Sequence, residues 1–277
     1  MIEPIQFLRK GVTVFTSALY QTTSTLIETP EAVFLVDPNW LPFEIYRIRE
    51  YVYSVIKKRK LYLVFTHSDY DHIIGYGAFP GASVIASKAF ADKSDKDRDI
   101  RDIQEFDRAH YIVRDYEISY PVPDIIISAD GKALHFSGTV LTFYLAPGHT
   151  KEGMYILVDP VGVWIAGDYL SDMEFPFVED GISAYRRTMA KTGRVLRLHD
   201  VRYMIPGHGT VAKSREQIVE RRDHAIEYLD DLESATHNGI TFPESKYQVR
   251  YPFWDSLQEN HQKNMQLHVR KNDQTGD

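Results

Sequence analysis

The sequence predicts an α+β protein built as a four-layer αββα sandwich. Three observations lead there: β-rich blocks at residues 11–65 and 124–168, helical segments that follow each block, and short polar loops that close the strands. Sheets packed face to face with helices outside bury one face of every element, although layer logic alone leaves other α+β arrangements open.

Taken in order, residues 11–19 (GVTVFTSAL) and 24–29 (STLIET) are rich in β-branched residues and predict strands. Residues 32–37 (AVFLVD) are a short apolar run closed by the turn-prone Asp37-Pro38-Asn39. Over 43–59 apolar side chains recur near helical spacing and the segment ends in a basic cluster, which suits a helix C-terminus. Residues 61–65 (LYLVF) read as a buried strand leading directly into THSDYDHIIG. A strand follows at 83–87, and 88–106 reads as a charged, solvated helical face.

The second block supplies strands at 124–128, 132–136, 139–147, 153–159 and 162–168, separated by Gly, Asp and Pro turns. Residues 183–198 predict a helix, 201–206 a strand, and 214–234 a long amphipathic helix. Beyond about His237 polar and aromatic residues alternate, and 271–277 reads as a frayed tail.

Composition narrows the class. A chain of 277 residues, 43% hydrophobic and 26% charged, fits one large globular domain or one domain with an appendage. The net charge of −7 disfavours nucleic acid as a partner without excluding a locally basic groove. With no cysteine, disulfides, thiolate catalysis and cysteine-ligated metals are excluded. No apolar run approaches the roughly 18–20 residues of a membrane span, and the start lacks a secretory pattern. A soluble, cytoplasmic protein with no membrane partner is expected.

The polar loops carry the chemistry. His67, Asp69, Asp71 and His72 follow the strand at 61–65, His149 sits in APGHT, Asp168 in AGDYL and His208 in PGHGT. Each lies where a strand runs out, and strand ends are where rigid scaffolds place functional loops. Gly148, Gly167 and Gly207 directly precede three of them and let the backbone turn tightly against an ion. A lone histidine is more often structural, and His110, His135, His199, His224, His237, His261 and His268 are read that way.

The ordered loops resemble the metallo-β-lactamase superfamily over about residues 10–235. Its His-x-His-x-Asp-His motif matches 67–72, except that Asp69 stands at the second histidine. The resemblance implies that His67, Asp69 and His149 bind one metal, that Asp71, His72 and His208 bind a second, and that Asp168 bridges them. It also implies the αββα fold with the site at the edge between the sheets. Residues 1–236 would form that domain, and 237–277 a partly ordered C-terminal extension.

Asp69 adds charge and a hard oxygen donor. Two divalent ions are expected, zinc first, with manganese or iron as alternatives favoured by oxygen-rich sites. Three aspartates leave such a pair one positive charge, which a bridging hydroxide would cancel. Asp37 is a candidate partner for a metal-bound histidine, fixing its tautomer; a plain Asp-Pro-Asn turn is the equal alternative.

Two ions sharing a water lower its pKa from about 15.7 towards about 7. Asp71 could also orient that hydroxide and pass a proton to the leaving group. The expected activity is metal-dependent hydrolysis of a small ester, thioester, lactone or phosphoester. Trp40, Phe43 and Tyr169 are expected near the mouth. Lactonases of the superfamily carry a tyrosine where Ser171 stands, which weakens a lactonase reading. Two enzymatic alternatives remain. A phosphodiesterase or nuclease is one, because the lactamase-like domain of bacterial DNA-uptake channels shares Asp at the second motif position. A diiron oxidoreductase is the other, although those carry a flavin-binding domain for which residues after 235 leave no room. Retention of the full ligand set argues against a non-catalytic metal-binding module. Oligomeric state is left open.

Overall fold

The computed structural model describes residues 5–9 and 11–272. The first sheet comprises β1 (Ile5–Arg9), β2 (Val12–Thr16), β3 (Thr23–Glu28), β4 (Ala32–Val36), β5 (Lys60–Val64), β6 (Ser83–Ser87) and β7 (Ile125–Ile127), side by side in chain order. The second comprises β8 (Lys132–Phe136), β9 (Thr139–Leu145), β10 (Met154–Asp159), β11 (Val163–Ile165) and β12 (Tyr203–Ile205), ordered β12-β11-β10-β9-β8. Helices α1 (Pro42–Ile56), α2 (Tyr70–Ile73), α3 (Lys88–Asp92) and α4 (Lys96–Ala109) belong to the first half, α5 (Ile182–Leu198) and α6 (Arg215–Asn238) to the second. The C-terminal segment adds α7 (Glu244–Arg250) and α8 (Gln258–Asn272).

The period-two alternation of the strands sorts side chains into layers. Phe34 and Val36 on β4 and Ile156 and Val158 on β10 point into a cluster between the sheets, with Phe143 and Leu141 of β9. Their neighbours Val33 and Leu35 face outwards under α1 and α4, meeting Ile45, Ile48 and Ile103. Tyr155, Leu157 and Trp164 face the other way, under α5 and α6. The central strands β4, β10 and β11 are thus buried on both faces, which is why they read as near-continuous apolar runs. The four-layer αββα sandwich is the fold.

Strand direction sets where the loops gather. β4 to β7 run parallel, and β9, β11 and β12 share one direction because β10 is antiparallel to both β9 and β11. The carboxyl ends of β4, β5, β9, β11 and β12 therefore deliver their loops to the edge between the sheets. There the Thr23 amide donates to the Gly207 carbonyl at 2.7 Å and its hydroxyl to the Pro206 carbonyl at 2.6 Å, tying one sheet to the other.

Three features differ from the sequence reading. β1 was not expected: it is a short edge strand with one buried side chain, Phe7, and an irregular register against β2. The expected helix over 88–106 is two helices. Lys93 leaves helical geometry between them, and its ammonium reaches Ser68 at 2.7 Å, Asp99 at 2.8 Å and Glu152 at 3.0 Å. The aromatics beyond His237 form a packed cluster, with Phe242, Tyr247, Tyr251 and Trp254 against Tyr228 of α6 and Phe175. Of the expected tail, Lys271 and Asn272 lie in α8, and 273–277 fall outside the described residues. Among the described residues, no helix is long and apolar enough to cross a membrane.

Phe143 is fully buried between the sheets, and truncating such a ring removes its transfer energy and leaves a cavity. Phe143→Ala should cost about 3–5 kcal/mol in chemical unfolding. A loss below about 1 kcal/mol would mean that the sheets do not pack there.

Candidate metal centre

The four loops converge. His67, Asp69, His149 and Asp168 form one group and Asp71, His72 and His208 another, with the potential ligand atoms of each within 4.8 Å of one another. Asp168 joins the two. Its Oδ2 lies 3.5 Å from His67 Nε2, 3.3 Å from His149 Nε2 and 3.2 Å from His208 Nε2, while Oδ1 lies 3.1 Å from His72 Nε2. Asp69 Oδ2 sits 3.1 Å from His149 Nε2, and Asp71 Oδ2 3.4 Å from His208 Nε2.

The outward-facing ring nitrogens decide what the inward-facing ones can do. His149 Nδ1 donates to the Phe177 carbonyl at 3.0 Å, and His208 Nδ1 to the Tyr20 carbonyl at 2.9 Å. A carbonyl only accepts, so each Nδ1 carries the proton and each Nε2 is free to act as a donor of electrons. His72 Nδ1 lies 3.0 Å from Asp37 Oδ2. His67 Nδ1 lies 2.9 Å from the Thr66 hydroxyl, which in turn donates to Asp37. Asp37 therefore orients two rings, one directly and one through Thr66, and it is not merely a turn residue. A further group of Asp37, His67 and His72 is close enough to hold an ion, but the Asp37 oxygens are already occupied by these bonds and by the Thr66 amide at 2.8 Å.

The donor set fits metal ions on two observations. His67 Nε2 and Asp168 Oδ1 are buried without a hydrogen-bond partner, although burying an unpaired polar atom costs on the order of 1–3 kcal/mol. The His72 and His208 Nε2 atoms also face each other at 3.4 Å. Two inward-facing nitrogens at that distance need a positive charge between them, which either a proton or a cation supplies.

Among the protein groups alone, burial works against charge throughout the cluster, and mutual attraction overcomes it. Against the opposition of burial, His67 and His149 hold Asp69 below the usual carboxylate range, and His208, His72 and His67 hold Asp168 well below it. Burial lowers His208, but Glu174 and Asp168 push it up to about 10; His72 and His149 are likewise raised by Asp168 with Asp71 and Asp69 respectively. A cation uses the same lone pairs, so metal and protons compete for them.

Three further contacts were not legible in the sequence. Glu152 is buried and accepts from Ser68, between two motif residues, and from Lys93, linking the 67–72 loop to the chain just after His149. The loop 17–22 is fastened to α1 by Glu44, which accepts from the Ser17 hydroxyl and the Ala18 amide, both at 2.8 Å. Glu174 lies 4.0 Å from His208 Nδ1, its carboxyl pushed up to about 7 chiefly by burial. Each joins residues distant in sequence, and no local pattern marks them.

A cavity of about 400 Å3 opens over the His/Asp cluster. The aromatics on it are Tyr20, Tyr70 and Phe177. Trp40 is fully buried beneath, against Tyr70 and Phe106, and Phe43 is exposed. Tyr169 is buried too: its hydroxyl accepts from the His149 amide and donates to the Ala146 carbonyl, both at 2.8 Å, so it shapes the His149 loop without facing the cavity.

An αββα sandwich with a His/Asp cluster at the shared edge of its sheets defines a class of metal-binding hydrolases. The chain belongs to the metallo-beta-lactamase superfamily, whose profile matches residues 18–208. Solved structures agree in fold. A metallo-beta-lactamase from Pontibacter korlensis superposes with a TM-score of 0.60 at 15% identity, covering 83% of this chain and 99% of its own. One from Cronobacter sakazakii gives 0.60 at 19%, covering 84% and 96%. A double mutant of the sec-alkyl sulfatase PisA1 gives 0.67 at 13%, covering 89% of this chain and 45% of that one. No curated protein matches the chain.

Two substitutions test the geometry. A Cβ built on Gly207 runs into Asp168 Oδ1, so Gly207→Ala should displace that carboxylate and weaken metal uptake at least about tenfold. Asp37→Asn removes the acceptor shared by His72 and Thr66 and should cost about 10- to 100-fold in metal affinity. Titration against a competing chelator measures both, and wild-type affinity in Asp37→Asn would refute its orienting role.

Proposed function

We propose that the protein is a hydrolase that holds two divalent metal ions and cleaves a small ester, thioester, lactone or phosphoester. The observation that carries this reading is the set of converging Nε2 atoms whose opposite ring nitrogens are held by carbonyls, a hydroxyl and Asp37. His67, Asp69 and His149 would hold one ion, Asp71, His72 and His208 the other, with Asp168 shared. Seven side chains exceed what one tetrahedral ion accepts. When bound, such a pair supplies a polarising charge and a water acidic enough to ionise near neutral pH.

The protein groups position and shield the reaction. Asp71 accepts a long hydrogen bond, 3.4 Å, from the Thr22 hydroxyl, which aims its carboxylate into the cluster to orient a nucleophilic water and receive its proton. Tyr20, Tyr70 and Phe177 wall the cavity, whose volume suits a small molecule as the substrate and partner. The Asp69 oxygen makes the first site harder than an all-imidazole one, so we place zinc first and keep manganese and iron as occupants.

Elemental analysis of protein purified without chelator should give two metal ions per chain. Removing them should abolish turnover in a screen of ester, thioester, lactone and phosphodiester substrates, and adding them back should restore it. Reproducibly fewer than two after reconstitution would sink the binuclear reading.

Asp168→Asn keeps the shape but removes the charge that screens two cations from each other. It should weaken both binding steps and lower turnover even at saturating metal. Asp69→His should keep the fold and shift preference towards zinc, and an unchanged preference would remove Asp69 from the ligand set.

A further inference from the structure

A chain of contacts runs from His149 to the C-terminal helix. The Phe177 carbonyl that accepts from His149 Nδ1 sits between two residues held by one side chain. Asn264 of α8 donates from Nδ2 to the Pro176 carbonyl at 2.7 Å and accepts at Oδ1 from the Val178 amide at 3.0 Å. Its amide thus clamps both backbone groups flanking Phe177, as a neighbouring strand would.

Asn264 is 2% exposed. A buried amide is tolerated only when its hydrogen bonds are made, and here they are. The second Nδ2 proton goes to the Tyr228 hydroxyl at 2.9 Å, which lies 3.0 Å from His261 Nδ1. Packing alone would be served by an apolar side chain at this position. An amide that spends its donor and acceptor on a loop nearly ninety residues away, at |i−j| of 88 and 86, fixes that loop's direction. The same loop also grips the His149 backbone: the Glu179 amide donates to the His149 carbonyl at 2.9 Å and the Asp180 amide to Gly148 at 3.1 Å.

We infer that Asn264 is a positioning residue for the metal centre, aiming His149 Nε2 through the Phe177 carbonyl. The inference rests on the reading of His149 as a ligand and extends it into the C-terminal segment. Without the clamp, the Val178 amide and the Pro176 carbonyl lose their partner, the peptides around Phe177 are free to turn, and the Nδ1 proton of His149 loses a fixed acceptor. Losing an outer partner of a metal-bound histidine typically costs about 10- to 100-fold in affinity. Asn264 acts one bond further out, so about tenfold is expected.

The test is a zinc titration of the full chain against a competing chelator. His149→Ala and His208→Ala identify which binding step belongs to which group. Asn264→Ala should weaken the step lost in His149→Ala about tenfold and leave the step lost in His208→Ala unchanged. Tyr228→Phe is the packing control: it breaks the contacts to His261 and Asn264 but leaves both bonds to the loop. It should lower Tm while both zinc steps stay as in the wild type. Asn264→Ser is the milder variant should Asn264→Ala fail to fold, and its loss at the His149 step should be smaller and in the same direction. Wild-type affinity at the His149 step in a folded Asn264 variant overturns the inference while leaving the metal centre standing. Equal weakening of both steps, matched by Tyr228→Phe, overturns it in favour of general support. A wild-type chain that takes up neither zinc nor manganese nor iron overturns the metal centre and this inference with it.

Discussion

Four imidazoles and three carboxylates meet at the edge between two sheets, and keeping the imidazoles aimed at one another is the constraint that organises the rest of the molecule. Ring nitrogens that face inwards repel one another unless something positive lies among them, and each ring escapes by rotating about χ1 and χ2. The outer nitrogen of every ring is therefore engaged: by a carbonyl at His149 and His208, by a carboxylate at His72, and by a hydroxyl at His67. Those acceptors lie on loops that need anchors of their own, which Glu44 supplies for the Tyr20 loop and Asn264 for the Phe177 loop. Rigidity at the centre is distributed outwards until it reaches α1 and α8.

How much of this can be read from residues alone follows from the range of the interactions. The positions of the clustered side chains were legible because each follows an apolar strand, so two local signals coincide at His67, His149, Asp168 and His208. The layers were legible because residues such as Phe34 and Leu35 must be apolar to be covered on opposite faces. What stayed hidden depends on distant partners. Lys93 lies between two helices, where Ser94-Asp95 offers a local start signal for the second. Its ion pair with Glu152 and its bond to Ser68, however, join residues that no local pattern connects. Trp40 reads equally as a mouth residue and as core, and only its neighbours Tyr70 and Phe106 distinguish the two.

The segment beyond His237 shows the same limit differently. Its alternation of charged and aromatic residues has no strong helical period, yet α7 and α8 form because the aromatics find one another. Phe175 of the loop after β11 stacks on Tyr228, and Trp254 and His261 close around it. Asn260 and Lys263 of α8 line the cavity beside Arg98 of α4. The segment thus contributes both to the second sheet's outer core and to the wall of the site, so its sequence answers to two demands at once.

Tyr20 and Phe177 each have two roles that the backbone keeps apart. Their carbonyls hold His208 and His149, whereas their rings stand in the cavity. A carbonyl is present whatever the side chain, so a substitution at either position remodels the cavity while the hydrogen bond behind the histidine persists. Variation at Tyr20 or Phe177 can therefore reshape the cavity wall without disturbing the acceptors behind His208 and His149. A scaffold wired in this way lends itself to divergence, because the surface a bound molecule would meet is insulated from the groups that fix the histidines.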